Sequence, residues 1–238
     1  MSYRWSKARR EFQAQLDQAE QELVPLYKLA NKQGRGSRLL AAYYVLAYSQ
    51  LEAYIKSFVE DSVNALNCSA PTFDKWPDQM LGYLLHKTEK LSEDYRRFGH
   101  SEDEGAIIDR LAEIARKIAS WSSGAAVLPV ADAAHFLDKK RYPSPRNLPQ
   151  LFRRLGIKDI WAVIGRAGKM NGQMILTSLN DLRTDIAHEG ILPQGLGLAD
   201  FQDRFKKMRR FVAALDRGVS GHFCSGLIAR TVWNSAMG

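Results

Sequence analysis

The chain has 238 residues, 45% of them hydrophobic and 25% charged, with 34 Lys and Arg against 26 Asp and Glu for a net charge of +8. This is the composition of a globular protein able to bury a core, and its surplus of cations favours an acidic partner such as nucleic acid or a membrane surface. No stretch of about 20 residues is continuously apolar, so no transmembrane helix is expected.

Other classes are set aside by what the chain lacks. Cys68 and Cys224 are far apart and have no neighbours at metal-ligand spacing, so neither a disulfide framework nor a zinc site is expected. The five histidines, His86, His100, His135, His188 and His222, form no HxxxH pair and no Cys/His cluster. There is no Walker-type loop and no GxGxxG run, the two common phosphate cradles. The amino-terminal ten residues are basic, with no apolar signal core after them, so export is not expected and a cytoplasmic location is.

Apolar residues recur at three- and four-residue steps from the start. Phe12, Leu16, Ala19, Leu23, Leu26 and Leu29 or Ala30 predict one amphipathic helix over Trp5–Lys32, with Pro25 as a point of bending. Residues 33–36 hold two glycines and break it, and Ser37 is placed to cap a second helix. That second helix, Arg38–Leu66, has the broadest apolar face in the chain. Leu40, Tyr44, Ala47, Leu51, Tyr54 or Ile55, Phe58 and Ser62 run down one side, widened by Tyr43, Leu46 and Val59. Such a helix suits the spine of a bundle.

Pro71 and Pro77 mark a loop, and shorter helices are expected near Asp78–Tyr95 and Glu104–Ser122. Gly124, Pro129, Pro143, Pro145 and Pro149 set about 123–149 apart as a Pro-rich insert, with a helical turn at Ala131–Leu137. Between Lys139 and Lys169 stand nine Lys or Arg residues and one acid, Asp159, the sharpest charge asymmetry in the chain. Leu148–Leu155 and Lys158–Ala167 predict two short helices parted by Gly156. A helix over about Gln173–His188 is closed by Gly190 and Pro193. The last strong helix spans Leu198–Arg217, with Phe201, Phe205, Met208, Phe211 or Val212 and Leu215 inward, and the tail after Gly218 is weakly patterned. Period-two alternation is missing throughout, so the fold class is all-α: a helical bundle with extra helices, read as a single domain over 1–238.

One stretch carries residues suited to chemistry: Arg183-Thr-Asp-Ile-Ala-His188-Glu-Gly190. Five residues turn a regular helix by about 500°, which leaves the two side chains roughly 140° apart. They meet if the last turn unwinds, which Gly190 favours, or if the pair is completed across a dimer. The carbonyl end of the helix favours a protonated His188. Arg217 and His222 repeat the spacing, but in a Gly-rich run beyond the predicted end of the last helix.

With these residues the chain resembles the HEPN (higher eukaryotes and prokaryotes nucleotide-binding) superfamily, most closely its RiboL-PSP-HEPN-like (MAE-type) branch. That superfamily carries Arg, four to six residues, then His, often followed by Gly. The segment Tyr44-Val-Leu-Ala-Tyr-Ser-Gln-Leu-Glu-Ala-Tyr-Ile55 is similar to the Leu-Glu-Ala-aromatic helix of the branch. Leu148-Pro-Gln-Leu-Phe-Arg-Arg-Leu-Gly156 is similar to its basic segment before the motif helix. The chain departs from the pattern directly after the arginine: Thr184 stands where Asn, Asp or His is usual, and the acid comes one place later at Asp185.

The resemblance implies a helical bundle of HEPN type, two copies of which usually meet at their motif helices. It implies a metal-independent, cofactor-free endoribonuclease, of the kind found as toxins with antitoxin protein partners and as phage-defence effectors. An RNA 2′-hydroxyl attacks the adjacent phosphate to leave a cyclic phosphate and a free 5′-hydroxyl. An imidazole can take or give the protons near neutral pH, and a guanidinium keeps its charge and holds two phosphate oxygens at once. Arg183 and His188 would be the catalytic pair, with Asp185, Thr184 and Glu52 in support. Lys139, Lys140, Arg141, Arg146, Arg153 and Arg154 would track the RNA backbone, and Tyr142 would stack on a base. The competing expectation is a HEPN dimer that binds RNA or a protein without cutting; a third is an unrelated basic helical protein on DNA or a membrane.

Overall fold

The computed structural model describes residues 2–32, 34–69, 76–80, 82–83, 133–137, 142–190, 192–193 and 195–238. In chain order the helices are α1 (Lys7–Lys32), α2 (Gly36–Ser69), α3 (Ala133–Leu137), α4 (Asn147–Arg154), α5 (Ile160–Gly168), α6 (Gly172–Glu189), α7 (Leu198–Cys224) and α8 (Arg230–Ala236). There is no strand among the described residues, and the protein is all-α. None of its described helices is long and apolar enough to cross a membrane.

The α1–α2 hairpin is dictated by local sequence. Gly34 takes a left-handed φ of 68°, and α2 starts one residue before Ser37, which is exposed within its first turn. The Arg35 carbonyl, not Ser37, opens the helix, receiving the Leu39 N–H at 3.3 Å. Gly36 is needed for closeness: a Cβ there would lie 2.8 Å from Asn31 and 3.0 Å from the Tyr27 ring. Pro25 sits inside α1, which is assigned without a break through it. Along α2 the expected face is buried from Leu40 to Leu66, but Leu46, expected to widen it, is 47% exposed. It points into the shallow groove between α1 and α2.

The other helix ends have chemical causes. Asp159 caps α5 by accepting the Ala162 N–H at 3.0 Å, and Asn171 caps α6 by accepting that of Met174 at 2.9 Å. Asp200 reaches back to the Gly197 N–H at 2.8 Å to open α7. Gly156, with φ of 91°, separates α4 from α5. Gly218 does not end α7, contrary to the expected boundary at Arg217. A Cβ there would fall 2.7 Å from Val163 Cγ1, so this glycine is the contact point at which α7 crosses α5. The helix continues to Cys224, and the tail then folds back as α8, whose Trp233 is buried against Phe58 and Phe223.

The helices expected near 78–95 and 104–122 fall outside the described residues, apart from 78–80 and 82–83. The described end of the Pro-rich insert is built into the core: Phe136 and Tyr142 are 0% and 1% exposed, and Phe136 tilts against the Tyr83 ring.

The motif helix α6 lies between α2, α5 and α7. It buries Leu176, Leu179, Leu182 and Ile186 on one face. At about 1.5–3 kcal/mol for each buried aliphatic side chain, that face fixes the rotation of the helix about its axis. Every other residue of α6 is thereby assigned a direction.

Candidate active site

The helix does not unwind before His188. α6 is regular to Glu189, the Gly190 N–H still reaches the Ile186 carbonyl at 2.9 Å, and only then does Gly190 turn left-handed with φ of 68°. The expected route by which one chain brings Arg183 and His188 together is therefore closed. On a regular helix the two stay about 140° apart and about 7.5 Å apart along the axis. Arg183 is half-buried at the edge facing α2, and His188 is exposed.

The two sides of α6 differ. Thr177, Asp181 and Asp185 share the strip of His188 and line an open groove of about 490 Å³ with Pro193, Leu196 and Arg204. Asp185 is one helical turn from His188 and on the face away from Arg183, so within one chain it is a neighbour of the imidazole. Thr184 is half-buried, and its hydroxyl donates to the Asn180 carbonyl four residues back at 2.9 Å.

The side of Arg183 is ordered by α2. The Tyr44 hydroxyl donates to the Leu179 carbonyl at 2.7 Å, and the Tyr48 hydroxyl donates to the Pro143 carbonyl at 2.7 Å. Tyr48 also meets the Asn180 side-chain amide at 3.1 Å. Burial pushes the Tyr48 hydroxyl above its ordinary pKa, the Glu52 charge pushes the same way, and the Arg183 charge pulls it down. Both charged groups are thus within electrostatic reach of this buried hydroxyl. Glu52, half-buried, stands one turn beyond Tyr48 on α2.

The guanidinium of Arg183 has no hydrogen bond and no ion pair among the described residues, and neither has the imidazole of His188. That sets Arg183 apart from Arg9, Arg154, Arg204, Arg209 and Arg230, each of which donates to a protein acceptor. Groups of three His, Cys, Asp or Glu side chains that could share a metal ion are missing among the described residues.

The residues expected to track RNA separate. Lys139, Lys140 and Arg141 lie outside the described residues. Arg146 and Arg153 are exposed on and beside α4. Arg154 is half-buried, donating to the Phe136 carbonyl at 2.7 Å and the Tyr142 hydroxyl at 3.4 Å, with its guanidinium 4.9 Å over the Tyr83 ring. It holds the insert to the body of the protein. Tyr142 is buried, which corrects the expectation that it stacks on a base. Sequence reading places Tyr44 in a stripe of core residues and passes over Tyr48 and Asn180. The available signal is the four-residue spacing of two tyrosines on a buried helix face, because a buried hydroxyl must find a partner.

The second Arg–His pair is also helical, since α7 includes both Arg217 and His222. Arg217 lies over the Tyr3 ring at 5.8 Å. Burial, aided by the Arg166 charge, lowers the pKa of His222. Helix membership therefore does not tell the two pairs apart. The half-burial of Arg183, where Arg217 is exposed, and the polar wall on α2 do.

An all-α protein with an arginine unpaired among the described residues and an exposed histidine, five residues apart at the end of a rotation-locked helix, is what the fold and site define. The model of the RiboL-PSP-HEPN family matches residues 4–220, and the chain belongs to that family. Arg183 and His188 fall inside the matched residues, whereas His222 lies beyond them. Neither the curated proteins nor the solved structures gave a match.

Proposed function

We propose that the protein is a metal-independent endoribonuclease whose site is completed by a second copy, with Arg183 of one copy and His188 of the other acting on one phosphodiester. The observation that carries this reading is the half-buried Arg183 guanidinium with no acceptor among the described residues, on a helix that keeps it away from His188 of the same chain. A phosphate supplies the missing acceptors. A two-fold pairing of α6 helices brings the exposed His188 strip of one copy to the Arg183 edge of the other.

In the reaction, His188 takes the 2′-hydroxyl proton as the 2′-oxygen bonds to phosphorus. The bond from phosphorus to the 5′-oxygen breaks, and that oxygen receives the proton back from the His188 imidazolium to leave as a 5′-hydroxyl, which returns His188 to its neutral form. Arg183 holds the two non-bridging oxygens while charge builds on them. Asp185, one turn from His188, orients the imidazole. The exposed Arg146 and Arg153, with Lys139, Lys140 and Arg141, carry the flanking RNA strand.

Arg183→Ala and His188→Ala are each expected to abolish cleavage of a defined RNA while circular dichroism stays unchanged. Mixing the two inactive variants is expected to restore about a quarter of wild-type activity, because half the dimers then hold one intact site out of two. Cleavage retained in both single variants rejects the nuclease; no recovery on mixing rejects the composite site.

A second reading has its own support. Thr184 gives its hydroxyl proton to the helix backbone and so offers no donor, and no ionisable or amide group, where family nucleases usually have Asn, Asp or His. That favours a dimer that binds RNA or a protein without cutting. Induced expression in a bacterial host separates the two. Growth arrest that needs His188 belongs to a toxin or phage-defence nuclease with an antitoxin partner, and harmless expression belongs to the binding module.

A further inference from the structure

Tyr48 is 2% exposed, and a phenylalanine would fill the same space. Its hydroxyl is nonetheless held from two sides, by the Pro143 carbonyl at 2.7 Å and the Asn180 amide at 3.1 Å. A phenol has one proton, and the shorter contact, to a carbonyl that can only accept, takes it. The Asn180 Oδ1, 3.1 Å away, is a second acceptor facing the same hydroxyl and forms the longer arm of a three-centre hydrogen bond. One buried oxygen therefore joins three segments: α2, the 142–146 turn that leads to Arg146, and α6 three residues before Arg183.

Tyr44 acts one turn earlier on the same face of α2. It donates to the Leu179 carbonyl, which in a regular helix also receives the Arg183 N–H. The backbone under Arg183 is thus fixed by one tyrosine, and the groups beside its side chain by the other. Glu52, a further turn along α2, adds a carboxylate to the same neighbourhood. It forms no ion pair with Arg183 among the described residues, so it steers the guanidinium without occupying it.

We propose that Tyr48 is a positioning residue for Arg183: by tying the Pro143 turn and Asn180 to α2, its hydroxyl sets where the unpaired guanidinium meets a phosphate and lines up Arg146 on the same strand. This rests on the proposed RNA-directed site, of which it names a further part.

The test uses the full chain as wild type, Tyr48→Phe, Arg183→Lys and the double variant. Each is assayed for cleavage of a defined RNA and for binding of its 2′-O-methyl counterpart, which cannot be cut. Tyr48→Phe is expected to lower kcat about tenfold, while KM rises and 2′-O-methyl RNA binding weakens by only about threefold each. In the Arg183→Lys background the same change is expected to cost less than about twofold in either assay, since its effect runs through the arginine. Asn180→Ala, which removes the amide from the other side, should repeat the pattern if Tyr48→Phe folds poorly by circular dichroism. Wild-type behaviour of a folded Tyr48→Phe chain, or losses that add in full to those of Arg183→Lys, overturns the proposal. A wild type that binds but does not cut rejects the nuclease reading alone, leaving the binding assay to decide on Tyr48. A wild type that neither binds nor cuts rejects both.

Discussion

The polar groups around Asp216 and those around Arg183 are treated in opposite ways by the same fold. Asp216, 1% exposed in the middle of α7, accepts hydrogen bonds from the hydroxyls of Tyr3 and Ser6. Arg9 in turn donates to Tyr3 at 2.8 Å, while its guanidinium lies 3.9 Å from the centre of the Trp5 ring. The amino-terminal arm is tied to the far end of the chain by this closed cluster, as by the Asn234 amide on the Ser2 carbonyl at 3.3 Å. A bare carboxylate there would cost several kcal/mol, so the chain supplies its partners. At Arg183 the half-buried guanidinium finds no acceptor among the described residues. The polar groups around Asp216 are closed on one another, whereas the Arg183 guanidinium has no partner among the described residues and faces the site proposed for RNA.

The contrast is sharpest between two arginines. Arg209 pairs with Asp17 at 2.7 Å and Glu20 at 2.8 Å, joining α7 to α1. Arg183→Ala is expected to cut RNA cleavage by about 10²-fold or more, the usual cost of losing a charged transition-state donor, with the melting temperature nearly unchanged. Arg209→Ala is expected to do the reverse, leaving cleavage intact and costing about 1–2 kcal/mol of stability. Parallel measurement of kcat/KM and thermal melting checks both. If the two variants lose stability and activity in the same proportion, the division between open and closed groups is wrong.

Next in size is Asp216→Ala, which leaves the buried Ser6 hydroxyl and the half-buried Tyr3 hydroxyl without their acceptor, and Arg9 without the carboxylate behind its Tyr3 partner. A loss of about 3 kcal/mol is expected in urea unfolding, with kcat per folded molecule unchanged. A loss of activity larger than the loss of folded protein would mean that the arm communicates with α6.

How much is legible in the sequence depends on the range of the forces involved. The apolar faces of α1, α2, α6 and α7 are visible at three- and four-residue steps, because a helix meets the core at every turn. Gly190 is readable as a terminus and turns left-handed, as expected. Gly218 reads the same way in the sequence yet serves a different purpose, which depends on Val163 of another helix and leaves no local mark. α8, at seven residues, is too short to show a period; Trp233 alone anchors it. At the site, Arg183 and His188 stand in one short run and can be found there. Their separation by a helix that stays wound, and the wall of Tyr44, Tyr48 and Glu52 beside one of them, arise only when α2 is laid across α6.

Asp61 is an intermediate case and the most demanding test, because its effect should be small and should appear only in one pH range. It is half-buried on α2 and, unlike Asp216, accepts no hydrogen bond among the described residues. Burial lifts its pKa to about 6, opposed by Lys7 and helped by the charges of Glu60, Glu11 and Asp216. A carboxyl whose folded pKa lies above its unfolded value binds its proton more tightly in the folded state. Its contribution to stability is therefore full below about pH 4 and is lost as pH rises through about 6. Such a displacement would be worth about 3 kcal/mol in a sealed site, and solvent screening of a half-exposed group reduces it to about 1 kcal/mol. Asp61→Asn, which cannot ionise, is expected to melt with wild type at pH 4 and a few degrees above it at pH 8. A variant equally or less stable than wild type at pH 8 would mean that Asp61 has a partner in solution and belongs with Asp216 among the closed groups.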